Sequence, residues 1–132
     1  MILIDTSAWI EFLRDTGSPT CEAVDALLDD DIGVCDAITM EVLAGARDER
    51  HLADLRGLLA RASVVRIVPA DYESAAALYR ACRRQGVTVR KLIDCLIAAV
   101  ALRSGSPLLH ADVDFTLLAQ VHPVQIHPDS AR

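Results

Sequence analysis

Ile2-Leu3-Ile4-Asp5-Thr6-Ser7-Ala8-Trp9 opens the chain. Three apolar residues with no polar alternation read as a strand buried on both faces, the kind found in a parallel sheet covered by helices. An acid follows at once, then two hydroxyl residues whose oxygens can cap a helix. The helical pattern occupies residues 8–14.

Outward from this stretch, strand and helix keep alternating. Gly17-Ser18-Pro19 is a break, residues 20–28 a second helix, and Asp29-Asp30-Asp31 its end. Residues 32–35 read as a strand. Asp36 is placed to cap a third helix holding Ile38, Glu41, Val42 and Gly45. Leu52, Leu55, Leu58 and Leu59 form a helical stripe, and 64–68 is a β-branched strand. Pro69 opens a long helix that sets Tyr72, Ala76, Tyr79 and Cys82 on one face and ends at Gly86. Residues 92–104 form a nearly all-apolar, buried helix. Gly105-Ser106-Pro107 is a turn, Leu108-Leu109 a strand, 115–119 a short helix, and 124–126 an edge strand. This order predicts an α/β fold with a mostly parallel sheet of four to five strands flanked by helices.

Composition agrees. The chain has 132 residues, 52% of them hydrophobic, which suits one domain spanning 1–132. Its aromatics are Trp9, Phe12, Tyr72, Tyr79 and Phe115, so the core is aliphatic, and the abundance of Ala and Leu argues against an all-β fold. A net charge of −6 excludes coating of nucleic acid by bulk charge, but not binding at a local patch or through a metal. Cys21, Cys35, Cys82 and Cys95 show no C-x-x-C spacing and read as small hydrophobes. No signal peptide or membrane span is read, and a reducing, cytoplasmic setting is expected.

Several acids sit where a solvated surface acid would not. Asp5 follows a buried strand directly: it is a helix cap, a site acid at the strand's carboxyl end, or both. Asp94 is the only charge in the eleven residues 92–102. A buried carboxylate there needs a cation, a proton or strong donors. Asp112 and Asp114 follow the strand Leu108-Leu109 as Asp5 follows its own, and also suit a turn that opens a helix. Glu41 alone is an ordinary helix acid and gains meaning from the others. Two carboxylates 5 Å apart repel by about 3 kcal/mol at an effective dielectric of 20, and four together by on the order of 10 kcal/mol. A cluster of oxygen ligands without a His or Cys group favours Mg²⁺ or Mn²⁺ over Zn²⁺. His110 reads as a core or turn residue rather than a ligand.

The sequence resembles the PIN-domain ribonucleases, and within them the VapC toxins of bacterial toxin–antitoxin pairs, over nearly its whole length. The resemblance lies in Ile-Leu-Ile-Asp5-Thr6-Ser7, in Ile38-Thr39-Met40-Glu41-Val42-Leu43-Ala44-Gly45, in Ile93-Asp94-Cys95-Leu96-Ile97-Ala98-Ala99 and in Asp112-Val113-Asp114-Phe115, in that order. It implies a PIN-like three-layer fold. It implies Asp5, Glu41, Asp94 and Asp112 as an acidic quartet around Mg²⁺ or Mn²⁺, with Asp5 and Asp94 as direct ligands. It also implies Asp114 as an auxiliary acid and Thr6 or Ser7 as donors behind the ligands. The implied activity is cleavage of single-stranded or looped RNA by a metal-activated water. The implied partners are a cognate antitoxin, whose C-terminal segment enters the acidic cleft, and a second copy of the chain. His110-Ala111 departs from the Thr and basic residue common before the last acid.

Residues 80–91 hold Arg80, Arg83, Arg84, Arg90 and Lys91 and no acid, a local charge of +5 running into Asp94. This is either a solvated face or a surface for RNA phosphates. Trp9 reads as core or dimer interface, with base stacking as the other reading. Three other functions stay open: an acidic cleft that only docks an antitoxin, a receiver-type signalling domain, and the same metal chemistry acting on DNA. The second lacks an acid pair after the first strand, and the only lysine enters a helix.

Overall fold

The computed structural model describes residues 1–131. Four strands, β1 (Ile2–Ile4), β2 (Ile32–Cys35), β3 (Ser63–Val65) and β4 (Leu108–Leu109), form one sheet in the order β3-β2-β1-β4. Every pairing is parallel; Leu3 registers with Gly33 on one side and Leu108 on the other. Seven helices follow the strands: α1 (Thr6–Leu13), α2 (Pro19–Leu27), α3 (Asp36–Ala44), α4 (Glu49–Leu59), α5 (Pro69–Arg84), α6 (Leu92–Ser104) and α7 (Val113–Val121). α1 packs on α2 and α3; α5, α6 and α7 pack on one another. Leu3, Ile4, Val34, Leu108 and Leu109 lie at the centre of the core with Trp9, Ile97 and Phe115. The aliphatic reading of the core and the buried reading of Trp9 both hold.

Some boundaries differ from expectation for local reasons. α1 starts at Thr6 because the Asp5 side chain accepts from the Ser7 N–H and caps it. Asp36 does not cap α3; Cys35 holds that position, and Asp36 turns instead to the Ile67 N–H (3.1 Å) and the Arg66 guanidinium (2.8 Å). That contact draws residues 66–68 off the sheet, so β3 stops at Val65. Residues 124–126 form no strand; a single parallel bridge joins Leu108 to Ile126. The buried face of α5 is Asp71, Ala75, Leu78 and Cys82; Cys82 is buried as expected, but the first three lie one residue before the expected Tyr72, Ala76 and Tyr79, and Tyr72 is 60% exposed. The cause is Asp71, which is buried because Arg103 pairs with it at 2.8 Å.

With all strands parallel, their carboxyl ends share one edge. β1 lies between β2 and β4. The chain leaves β1 and β4 side by side, tied by the Asp5 N–H donating to the Leu109 carbonyl at 3.0 Å. Crevices for ligands in open α/β sheets form at this kind of switch point.

Candidate active site

Four backbone departures build the site. Asp5 ends β1 and caps α1. Asp112 follows β4 and caps α7, its side chain accepting from the Asp114 N–H at 2.9 Å. Asp94 lies in the first turn of α6, and Glu41 in the middle of α3. The helix termini favour an anion at the first three positions.

Asp94, Asp112 and Asp114 each offer an oxygen within 4.8 Å of the others. Asp5 and Glu41 stand beside one another, each held by a neighbouring hydroxyl. Ser7 Oγ donates to Asp5 Oδ2, and Thr6 Oγ1 donates to Glu41 Oε1 at 2.8 Å. Ser7 Oγ also accepts from the Ala111 N–H at 2.9 Å, so one hydroxyl joins the end of β1 to the loop after β4. The charges of these acids act on one another: Glu41 raises Asp5, and Asp5 raises Asp94.

Burial separates the acids into two kinds. Asp5 is pushed up to about 6, mainly by desolvation, against the bonds from Ser7. Asp94 is pushed up to about 8, by desolvation first, then by its hydrogen bond to Asp114 and the charge of Asp5. Asp5 Oδ1 and Asp94 Oδ2 are buried without a hydrogen-bond partner among the described residues. Asp112 and Asp114 go the other way. Burial raises both, but donors and cations outweigh it, and both lie below the usual carboxylate range. Asp112 takes Lys91 Nζ at 2.7 Å and Arg90 Nη2 at 3.2 Å. Asp114, with no exposed surface, accepts from the backbone N–H groups of Arg90 (3.2 Å) and Lys91 (3.0 Å) and from Arg90 Nε.

Of the five cations in residues 80–91, Arg90 and Lys91 therefore lie on the acids. Arg80, Arg83 and Arg84 are exposed on α5 and form no salt bridge among the described residues; Arg83 stacks over the Tyr79 ring at 5.7 Å. A charge run abutting a buried acid was the available signal for this inward turn. The bridge from Ser7 to Ala111 spans 104 residues and had no sequence signal. His110 is buried as expected, its ring held down to about 4 by desolvation. Its Nδ1 accepts from the Asp112 N–H at 3.1 Å, which braces the last acid of the quartet.

This donor set fits a hard divalent cation. It is made of carboxylates, and two of its buried oxygens lack a partner among the described residues, a costly state that an ion would relieve. Among the described residues, no histidine or cysteine joins the group of acids.

A sequence model of the PIN domain matches residues 2–121. A VapC ribonuclease of Mycobacterium bovis and the ribonuclease VapC11 of Mycobacterium tuberculosis are each 43% identical over 129 residues, covering 95% of this chain and 96% of theirs. The VapBC2 structure from Rickettsia felis, bound to a DNA fragment from its promoter, superposes with a TM-score of 0.77 at 15% identity. That match covers 96% of this chain and 98% of that one, and shows the likeness of fold. The chain belongs to the PIN-domain family, and within it to the VapC ribonucleases of toxin–antitoxin systems.

Proposed function

We propose that this chain is a metal-dependent endoribonuclease, the toxin of a toxin–antitoxin pair, with residues 1–132 acting as one PIN domain. The observation that carries this reading is the pair of buried, unpartnered oxygens, Asp5 Oδ1 and Asp94 Oδ2, at the edge where Asp112 and Asp114 also stand. The mycobacterial relatives, both named as ribonucleases, support it.

Asp5, Glu41, Asp94 and Asp112 are assigned as the quartet that holds Mg²⁺, with Mn²⁺ as its substitute and Asp5 and Asp94 as direct ligands. A divalent ion supplies Lewis acidity there: it lowers the pKa of water and neutralises charge on a phosphate. The chain's own residues do the rest. Ser7 and Thr6 fix the orientation of Asp5 and Glu41. Asp114 is the auxiliary acid; it anchors the backbone of residues 90 and 91, which sets where α6 and Asp94 begin. Arg80, Arg83 and Arg84 stand free to hold the phosphates of single-stranded or looped RNA, with Arg90 and Lys91 nearer the acids.

The antitoxin's C-terminal segment is assigned to the acids, entering them by a neighbouring cleft of about 380 Å³ lined by Ile10, Leu13, Val42 and Leu55, with Arg14, Arg47 and His51 at its rim and Glu41 at its acidic end. Its apolar floor suits buried side chains of a peptide, and its Glu41 end suits a basic residue. A homodimer is proposed as well; Tyr72 and Leu92, both exposed, with Ile93 and Leu96, form an apolar strip between α5 and α6 that a second copy would cover. No described helix is long and apolar enough to cross a membrane.

The test is incubation of the antitoxin-free protein with total RNA and with single-stranded DNA, in Mg²⁺ and in EDTA. Discrete RNA fragments in Mg²⁺ alone are expected. Cleavage that survives EDTA, or DNA cut as readily as RNA, contradicts the assignment.

A further inference from the structure

Lys91 is the only lysine in the chain, and its ammonium lies on the acids. Nζ is 2.7 Å from Asp112 Oδ2 and 3.6 Å from Asp94 Oδ2, the buried oxygen that has no hydrogen-bond partner. Its neighbour Arg90 is held in a different manner. Three groups of Arg90 pin it: backbone N–H and Nε on Asp114 Oδ1, and Nη2 on Asp112 Oδ1. Its planar fork and several bonds make it a fixed part of the wall. The side chain of Lys91 holds on by its tip alone, at the end of a flexible four-carbon stem that is 49% exposed. Its backbone stays anchored by the N–H bond to Asp114 Oδ2 at 3.0 Å, so the tip can leave without disturbing the start of α6.

The ammonium thus engages an oxygen of each of two acids assigned to the metal. A monovalent and a divalent cation cannot share these oxygens: a few ångströms apart in a partly buried site, their repulsion is far above thermal energy. We propose that Lys91 is a tethered counter-ion that exchanges with the divalent cation, the ammonium and the metal being alternative occupants of Asp94 Oδ2 and Asp112 Oδ2. The side chain then moves out to the cleft when metal enters, where it meets the phosphates of the strand. This makes metal affinity weaker than the acids alone would set, and couples metal loading to the release of a cation towards RNA. The inference rests on the metal site assigned above.

The test reads metal binding directly. Mn²⁺ is titrated into the wild type, Lys91→Met, Lys91→Arg and Asp94→Asn, with free Mn²⁺ followed by its paramagnetic resonance signal. Lys91→Met is expected to bind roughly tenfold tighter or more, because the competing charge is gone. Lys91→Arg is expected to bind no tighter than wild type, and Asp94→Asn to lose binding. A second measurement needs no variant. The chain's single lysine, labelled with ¹³C at its ε carbon, gives one side-chain resonance. That resonance is expected to move during a Mg²⁺ titration, with the same midpoint as binding. Equal Mn²⁺ affinity of wild type and Lys91→Met, or a lysine resonance unmoved while metal binds, overturns the exchange and leaves the metal site standing. Failure of wild type and Lys91→Met alike to bind Mn²⁺ overturns the metal site, and the exchange with it.

Discussion

At the scale of single residues, two of the site acids, Asp5 and Asp94, hold protons that ordinary carboxyls release. Asp94 titrates near 8 and Asp5 near 6, against 3.8 for the unperturbed group. In EDTA, the folded chain therefore binds protons that the unfolded chain has lost. Such raised groups contribute stability that is fully present below about pH 4 and is lost as pH rises through 6 and then 8. Asp71, Asp112 and Asp114, whose folded values are lowered, act in the opposite sense as pH falls below 4, and His110, held down from 6.5 to about 4, offsets part of the loss up to about pH 6.5. The melting temperature in EDTA is expected to fall between pH 5 and pH 8.5, and Asp94→Asn to lose the upper step. A flat or rising profile contradicts the burial of these charges. Ser7 supports a second prediction. Its hydroxyl donates to Asp5 and accepts from Ala111, so Ser7→Ala loosens a ligand and strands a backbone N–H. Mn²⁺ affinity is expected to fall roughly 10-fold to 100-fold, as for other donors that orient a metal ligand. Asp5, Asp94 and Asp112 were legible in the sequence because each stands in or just after an apolar run; Glu41 was not legible alone and drew its meaning from the other three. The hydroxyl bridge was not, because it depends on β1 and β4 lying side by side.

At the scale of elements, α5 and α6 are fastened by an ion pair between a buried acid and a partly exposed arginine. Arg103, in the last turn of α6, reaches both oxygens of Asp71 in the first turn of α5, at 2.8 and 2.9 Å, and the Arg66 carbonyl at 2.7 Å. Asp71 also accepts from the Val68 N–H. The Arg103→Met variant strands a buried carboxylate and is expected to lose about 2 kcal/mol by urea denaturation, less than a fully buried pair because the guanidinium is partly exposed. A loss below a few tenths of a kcal/mol would show that Asp71 is hydrated. The same pair explains why the phase of α5 misread by one residue. Hydrophobic spacing alone sets Tyr72 inward, whereas an acid with a partner 32 residues away takes the buried place. Strands β1, β2 and β4 were legible as continuous apolar runs. β3 was legible as well, but its end was not, because Asp36 of another element takes the Ile67 N–H just beyond it.

At the scale of the whole molecule, the parallel order β3-β2-β1-β4 brings acids distant in sequence to one edge, and leaves Arg80, Arg83 and Arg84 outward on α5. Under the proposed function, a chain of net charge −6 would hold RNA by this local patch rather than by bulk charge. Replacing all three arginines by alanine is expected to raise KM about tenfold with kcat nearly kept. The slope of log affinity against log salt should fall by about 2, at 0.7 per lost single-strand phosphate contact. An unchanged salt slope would place the RNA elsewhere. The motif order and the alternation of strands and helices carried the fold class, because both are properties of the chain alone. The inward turn of Arg90 and Lys91 is a property of the assembled edge.

The central claim is that Asp94 belongs to a metal-dependent RNA-cleaving centre. Its most direct test is single-turnover cleavage of total RNA by wild type and Asp94→Asn at saturating Mg²⁺. Loss of at least 100-fold in rate, in a variant that melts no lower than wild type in EDTA at pH 8, is expected, since a neutral amide cannot supply the ligand charge. Equal cleavage by the two proteins would contradict the account.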